Sequence, residues 1–283
     1  MKIAVSCETT VDLPEDLLKK FDVKTVPFSI LLGDEMILDD QMAYKKIFDY
    51  VAQTKTLPKT SAVNEVQFEE HFEKLLKEYD AVIHISLSSK ISSACENAKR
   101  VAQKIGNDKV MVVDSLSLST GIALLAIEAH NCIEKGMDLK QTYDYVSSKV
   151  SHVQASFVLL TLNYLYKGGR CSSLAYFGAN LLKIKPEILM TNGEMKTGKK
   201  FFGIMKKVGL AYFDDLMSRF PNPVLENVFI THAGMPAEDA EFLKGKLREK
   251  GFKNIYETRA GGTISSHCGP GCFGILFLTA DEK

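Results

Sequence analysis

Four short stretches of this chain hold the residue types that receive an anion. Near the C-terminal end, Ser265-Ser266-His267-Cys268-Gly269-Pro270-Gly271 places a histidine beside two glycines and a proline. Gly and Pro turn the backbone tightly, and a histidine proton is moved near neutral pH by modest changes in surroundings. Thr60-Ser61 follows Pro58 in what reads as a loop, and residues 88–93 form a serine-rich loop ending in Ser92 and Ser93. Gly168-Gly169-Arg170 carries a permanently charged guanidinium that grips a carboxylate through parallel bonds. Hydroxyls, an imidazole and a guanidinium are the groups that receive a small anionic or polar head.

Each stretch also has a purely structural reading. Thr60 and Ser61 either bond their own backbone or face a ligand. Ser93-x-x-Glu96 fits a capping box, which leaves Ser92 and the exposed amides of the helix start for an anion. Arg170 is either a surface ion-pair partner or a carboxylate grip. His267 either holds the Gly-Pro-Gly turn or serves a ligand. His232, followed by Ala233-Gly234-Met235-Pro236, is similarly open, and His71 reads as packing on an apolar helix face. Cys268 and Cys272 flank the turn but lack the second ligand pair of a structural zinc site, so free buried thiols and no metal are expected.

Several enzyme signatures are missing from the sequence. There is no GxGxxG after the first strand, no GxxxxGK[ST] loop, no GxSxG elbow and no HExxH. No cofactor is therefore expected. Lysine plus arginine (35) equals aspartate plus glutamate (35), and no basic stripe with interleaved aromatics appears, which argues against a nucleic-acid partner. The N-terminal apolar run is too short for a signal peptide, no stretch is long enough for a membrane helix, and none of the six cysteines forms a CxxC pair. These features point to the cytoplasm.

At 283 residues the chain is long enough for two α/β domains. Strands are expected at 2–6, 26–32, 81–86 and 110–113, with Pro27 weakening the second. Helices fall between them: one opened by Asp12-Leu13-Pro14-Glu15, one around Tyr44–Val51, one from Asn64-x-x-Gln67, one ending at Gly106, and a long one to about Glu134. This alternation predicts a parallel sheet covered by helices, with a ligand beyond the C-terminal strand ends at residues 6–10, 86–93 and 114–115. After about residue 150 the pattern changes. A strand is expected at 153–160, a helix at 172–182, a hairpin turning at Asn192-Gly193, a helix at 204–220, a strand at 228–231, a helix from Pro236 to Gly251, and strands near 255 and at 273–278. The division is thus 1–150, with a parallel sheet, and 151–283, with a mixed sheet.

Set in order, these pieces resemble the DegV family of bacterial fatty-acid-binding proteins. The resemblance runs through Thr9-Thr10-Val11-Asp12-Leu13-Pro14, Lys59-Thr60-Ser61, Ser86-Leu87-Ser88-Ser89-Lys90-Ile91-Ser92, Val112-Val113-Asp114-Ser115, Leu165-Tyr166-Lys167-Gly168-Gly169-Arg170, Leu182-Lys183-Ile184-Lys185-Pro186 and Ser266-His267-Cys268-Gly269-Pro270-Gly271. It implies a two-domain fold with one long-chain fatty acid, such as a C16–C18 acid, between the domains. It carries the carboxylate-binding roles onto Thr60, Ser92, Arg170 and His267, with Ser61, Ser93 and Gly269 as secondary positions. It further implies a non-catalytic carrier that presents its ligand to a separate fatty acid kinase for phospholipid synthesis. A phosphotransfer or covalent-adduct module using His267 or His232 is the alternative. The family's Gly-Leu-Ser-Gly-Thr-Tyr is Lys90-Ile91-Ser92-Ser93-Ala94-Cys95 here, its Asp-Ser is Glu8-Thr9, and its Gln-Pro is Ala62-Val63. The head-group hydroxyls survive these changes. Residues 28–32, 157–160 and 174–182 are the apolar stretches expected to line a tail tunnel.

Overall fold

The computed structural model describes residues 1–40, 42–172 and 184–280. Its first sheet is parallel and ordered β2-β1-β6-β7: β1 (Ile3–Glu8), β2 (Val23–Val26), β6 (Ala81–Ser86) and β7 (Val110–Asp114). Every residue of β1 and β6 is buried, as strands covered on both faces must be. Helices α3 (Glu65–Leu75) and α4 (Ala94–Ile105) pack together against this sheet, and α5 (Thr120–Glu134) packs with α6 (Leu139–Lys149) against it. Asn64 makes the expected reciprocal cap with Gln67 at the start of α3.

The second sheet is mixed and ordered β11-β10-β9-β14-β12-β13, with β8 (Val153–Gln154) paired to β14. It comprises β9 (Ser156–Val158), β10 (Ile184–Thr191), β11 (Glu194–Phe202), β12 (Pro223–His232), β13 (Asn254–Arg259) and β14 (Phe273–Thr279). Among the described residues, only β12 and β13 of this sheet run parallel. The hairpin turns at Asn192 and Gly193 with φ of 51° and 84°, as the Asn-Gly pair predicts. Helices α8 (Met205–Arg219) and α9 (Ala237–Lys250) cover one side of this sheet over a core that includes Val158, Tyr212, Leu216, Ile230 and Phe277.

Helix α5 packs against β1 and β6 of the parallel sheet and also against β12 and β14 of the mixed one. That position explains its composition: a helix apolar almost all round must be enclosed all round. A single apolar cluster accordingly runs from Ile3 in β1 through Leu124 and Leu125 to Leu276 in β14.

The structure corrects the sequence expectation in several places. The strand expected at 26–32 is two strands in two sheets, because Pro27 follows β2 and the chain resumes as β3 (Ser29–Leu32). β3 pairs antiparallel with β4 (Glu35–Leu38) and with β5 (Lys59–Ser61), forming a small third sheet. Thr60 and Ser61 therefore lie on a strand and not in a loop. Pro14 stands at the N-cap of α1 (Glu15–Lys20) with no side-chain cap bond, and Asp12 is left-handed (φ 55°) with its carboxylate turned to other partners. Between β4 and β5 lies α2 (Ala43–Thr54), as the apolar spacing indicates. The expected strand at 153–160 is split into β8 and β9, followed by α7 (Asn163–Gly168). His267 stands in the last turn of a further helix, α10 (Gly262–Cys268), and not in the Gly-Pro-Gly turn. The helix expected at 172–182 falls mostly outside the described residues.

Candidate functional site

Three segments far apart in sequence meet around a cavity of about 290 Å³. Strand β5 brings Thr60 and Ser61, the loop after β6 brings Ile91, Ser92 and Ser93, and α10 brings Thr263, Ile264, His267 and Cys268. Arg170, just past the left-handed Gly169 that ends α7, also lines it, as do Phe28, Leu118 and Met195. Thr60 Oγ1 lies 2.9 Å from His267 Nε2, across 207 residues of chain.

The imidazole of His267 is enclosed, and its Nδ1 is buried with no partner among the described residues. Gly168 explains why: a methyl group there would come 2.7 Å from Nδ1. An orphaned N–H in such a position is the costlier arrangement, so we assign the ring proton to Nε2, which then donates to Thr60 Oγ1. Thr60 is left with its own hydroxyl proton to give. Burial, with the Arg170 charge as a second cause, pushes the His267 pKa down to about 4. The ring is thus a neutral donor at pH 7.

Ser92 Oγ accepts the Ala94 N–H at 3.2 Å, and no acceptor among the described residues takes its proton. Ser93 makes no side-chain cap, so the Ser93–Glu96 capping box expected from sequence does not form. The reason is backbone geometry: Ser93 has helical φ and ψ (−80°, −4°), whereas a capping residue is extended. Arg170 is exposed, with Nη1 on the Gly168 carbonyl at 2.6 Å. Beyond it the cavity meets a polar groove of about 540 Å³ lined by Lys90, Arg170 and Lys196. Leu118, Ile264 and Cys268 also line a small apolar chamber, about 20 Å³, walled by Phe157, Cys272 and Leu276. The arrangement is a set of hydroxyl, imidazole and guanidinium donors around a cavity that also has apolar walls.

Thr60, Ser61, Ser92, Ser93, Arg170 and His267 all line the cavity, whereas Gly269 does not. Its φ is 74° and a Cβ there would come 2.7 Å from the Tyr164 ring, so it closes α10 against α7. His232 lies elsewhere, with Nδ1 accepting the Gly234 and Met235 N–H groups and Nε2 3.1 Å from Glu257. Of the three polar strand ends expected to form the rim, only the one after β6 contributes. Asp114 instead holds the Ser89 and Leu116 amides, and Thr9 faces a different cleft. Phe28 and Phe157 reach the cavity and the chamber, but Ile30 and Leu32 pack in a separate cluster with Ile47. Residues 174–182 lie outside the described residues. Met195 and Thr263 were not anticipated; the apolar face of β11 and the start of α10 carry no sequence signature for them.

The larger cleft, about 550 Å³, is bordered by Asp12, Asp39 and Asp40, with Arg259 stacked 4.6 Å over Tyr44. Its polar lining is mostly acceptor, which is the wrong sign for an anionic head. All six cysteines are buried, and none is paired in a disulfide. Among the described residues no cluster of His, Cys, Asp and Glu is arranged to hold a metal, and no helix is long and apolar enough to cross a membrane.

A family model described as "Uncharacterised protein, DegV family" matches residues 2–280. A Thermotoga maritima protein named "Fatty acid-binding protein" is 27% identical over 289 residues, covering 100% of both chains. Among solved structures, a Bacillus subtilis protein described as a fatty acid binding protein superposes with a TM-score of 0.86 at 25% identity, covering 99% of this chain and 100% of that one. A DegV family protein from Thermus thermophilus reaches a TM-score of 0.90 at 24% identity, with 99% and 100% covered, and shows the shared α/β fold.

Proposed function

The chain belongs to the DegV family, and from that premise we propose that it is a non-catalytic carrier of one long-chain fatty acid. The carboxylate is received by Thr60, Ser92, Arg170 and His267, and the tail runs inward between residues 1–150 and 151–283, which act as the two units of the carrier. The observation that carries this reading is the neutral His267 paired with Thr60 in a cavity whose wall residues Leu118, Ile264 and Cys268 also border an apolar chamber. The named functions of the Thermotoga and Bacillus relatives support it.

The energetics divide cleanly between the two ends of such a ligand. Burying an acyl chain yields about 0.8 kcal/mol per methylene, and ordering and association offset much of that sum. A carboxylate removed from water needs compensating donors, each charge-assisted bond contributing roughly 1.5–3 kcal/mol. The tail sets affinity, while the donor cluster sets orientation and the preference for acid over ester. The groove bearing Lys90, Arg170 and Lys196 leaves the head reachable from outside, which supports presentation to a separate kinase that makes an acyl phosphate. Neither His267 nor His232 offers an unoccupied, accessible ring nitrogen for phosphotransfer. Buried cysteines outside any disulfide are in keeping with the cytoplasm as the compartment.

Denaturing extraction of freshly purified protein, followed by mass spectrometry, is expected to recover about one fatty acid per chain; trace lipid alone would count against the carrier. The double variant Thr60→Ala, Ser92→Ala should weaken binding of the acid while leaving its methyl ester nearly unchanged. Equal losses for both ligands would mean that these hydroxyls do not read the carboxylate.

A further inference from the structure

Helix α10 presents His267 to Thr60 from its C-terminal turn, and its N-terminal turn is held by two buried carboxylates from the first forty residues of the chain. Asp39, at the end of β4, is 2% exposed; its Oδ1 accepts the Gly262 N–H at 2.7 Å and its Oδ2 the Thr263 N–H at 3.1 Å. Asp12 is 4% exposed and accepts the Gly261 N–H at 2.8 Å as well as the Ser119 hydroxyl. Both carboxylates sit where the first free amides of a helix point, and where its dipole favours negative charge.

The attachment extends to the wall of the cavity itself. Thr9 Oγ1 donates to Asp39 Oδ2 at 3.3 Å and accepts the Phe28 N–H at 3.2 Å, and Phe28 lines the cavity. Gly262 permits the close approach: a Cβ there would come 2.6 Å from Ile30, 2.7 Å from Ala43 and 2.8 Å from Asp39. A helix of seven residues is only about 10 Å long, so a shift at one end is felt at the other.

We propose that Asp39, seated by Thr9, is a positioning residue for the head-group site: it fixes α10 so that His267 meets Thr60 and Ile264 and Cys268 face the acyl passage. Asp12 provides the second, independent hold on the same turn. Ligand recognition at Thr60 is thus set partly by a carboxylate that never touches the ligand. This inference rests on the fatty-acid reading for its binding consequence, but its structural consequence exists in the ligand-free protein.

The test compares Asp39→Asn and Asp39→Ala with Val208→Ala, a core variant of α8 that destabilises without touching α10. In the full-length protein, Asp39→Asn keeps the shape of the side chain but turns one acceptor into a donor facing an N–H. The His267 imidazole resonances should shift in Asp39→Asn, and its titration should move up from about 4 towards the ordinary 6.5 as the ring loosens. Affinity for a long-chain acid should fall about tenfold, the size of a lost helix cap. Val208→Ala should lower the unfolding midpoint and leave the His267 spectrum unchanged. Should Asp39→Ala fail to fold, Thr9→Val gives the same readout in milder form. Unchanged His267 signals in Asp39→Asn and Thr9→Val would overturn the positioning role. Shifted signals with no lipid bound by any form would keep the positioning and discard the carrier.

Discussion

Two histidine clusters in this molecule are built from the same residue types, and only one of them is a candidate site. Beneath the parallel sheet, Ser6 Oγ lies 2.8 Å from His71 Nε2 and 3.0 Å from His84 Nδ1. His84 Nε2 continues to Glu8 Oε1 at 3.2 Å, and Glu8 also accepts the Ser86 hydroxyl and the Leu87 N–H. The rings of Phe68 and Phe72 stand edge-on to His84 at 5.2 and 5.4 Å. The polar groups of that chain bond one another, and the aromatic rings pack against them. Around His267 the hydroxyls of Thr60 and Ser92 keep protons to give, an exposed guanidinium stands near, and the groups surround a cavity. Spare hydrogen-bonding capacity beside an opening, rather than the presence of a histidine, separates a receptor from a brace.

The widest separation between the two clusters should come from Glu8→Ala. It strands Ser86, His84 and the Leu87 amide in a dry interior, and should cost about 3 kcal/mol or more of stability by denaturant unfolding. Any loss of ligand affinity should follow only from the loop that Leu87 begins. Thr60→Val should do the opposite, reducing affinity for the acid by about 1.5–3 kcal/mol in calorimetry with a small change in stability; a large stability loss and unaltered affinity would erase the distinction drawn above.

The two clusters should also respond alike to acid. Burial holds the His267 pKa down to about 4, and burial with the His84 charge holds His71 down to about 3. Because both folded values lie below the unfolded 6.5, the unfolded chain takes up these protons first. Stability is therefore full above about pH 7 and declines as pH falls below 6.5, the His267 share being spent near 4 and the His71 share near 3. An NMR titration in which either ring changes charge near 6.5 would break the parallel. The smallest effect is expected for Ser93→Ala, an exposed residue with no cap bond, which should change stability by less than about 0.5 kcal/mol.

Most of the framework was legible in the sequence because it rests on local signals. The buried runs of β1 and β6, the Asn64–Gln67 cap and the Asn192-Gly193 turn each follow from a few adjacent residues. The lining residues Thr60, Ser92, Arg170 and His267 were legible from type and from family resemblance, but their supports were not. Thr60 stands on a three-residue strand too short to announce itself, and α10 has glycines at its start and a cysteine at its end, poor helix formers that only tertiary contacts hold. Asp12 belongs to the stretch that opens a helix in the sequence, but its carboxylate partners, Ser119 and Gly261, lie 107 and 249 residues away, beyond any local pattern. Ser93 had the right neighbours for a cap and the wrong dihedral angles, which no pattern of letters discloses.

The bonds joining Thr60 to His267 and Asp39 to Gly262 span 207 and 223 residues. A growing polypeptide cannot own this pocket until α10 has been made, however early its parallel sheet condenses. Fragments released before α10 is made would carry the Thr60 strand and the Ser92 loop with no partner to close over them. The donor cluster is consequently a property that the chain acquires only once both of these distant segments exist.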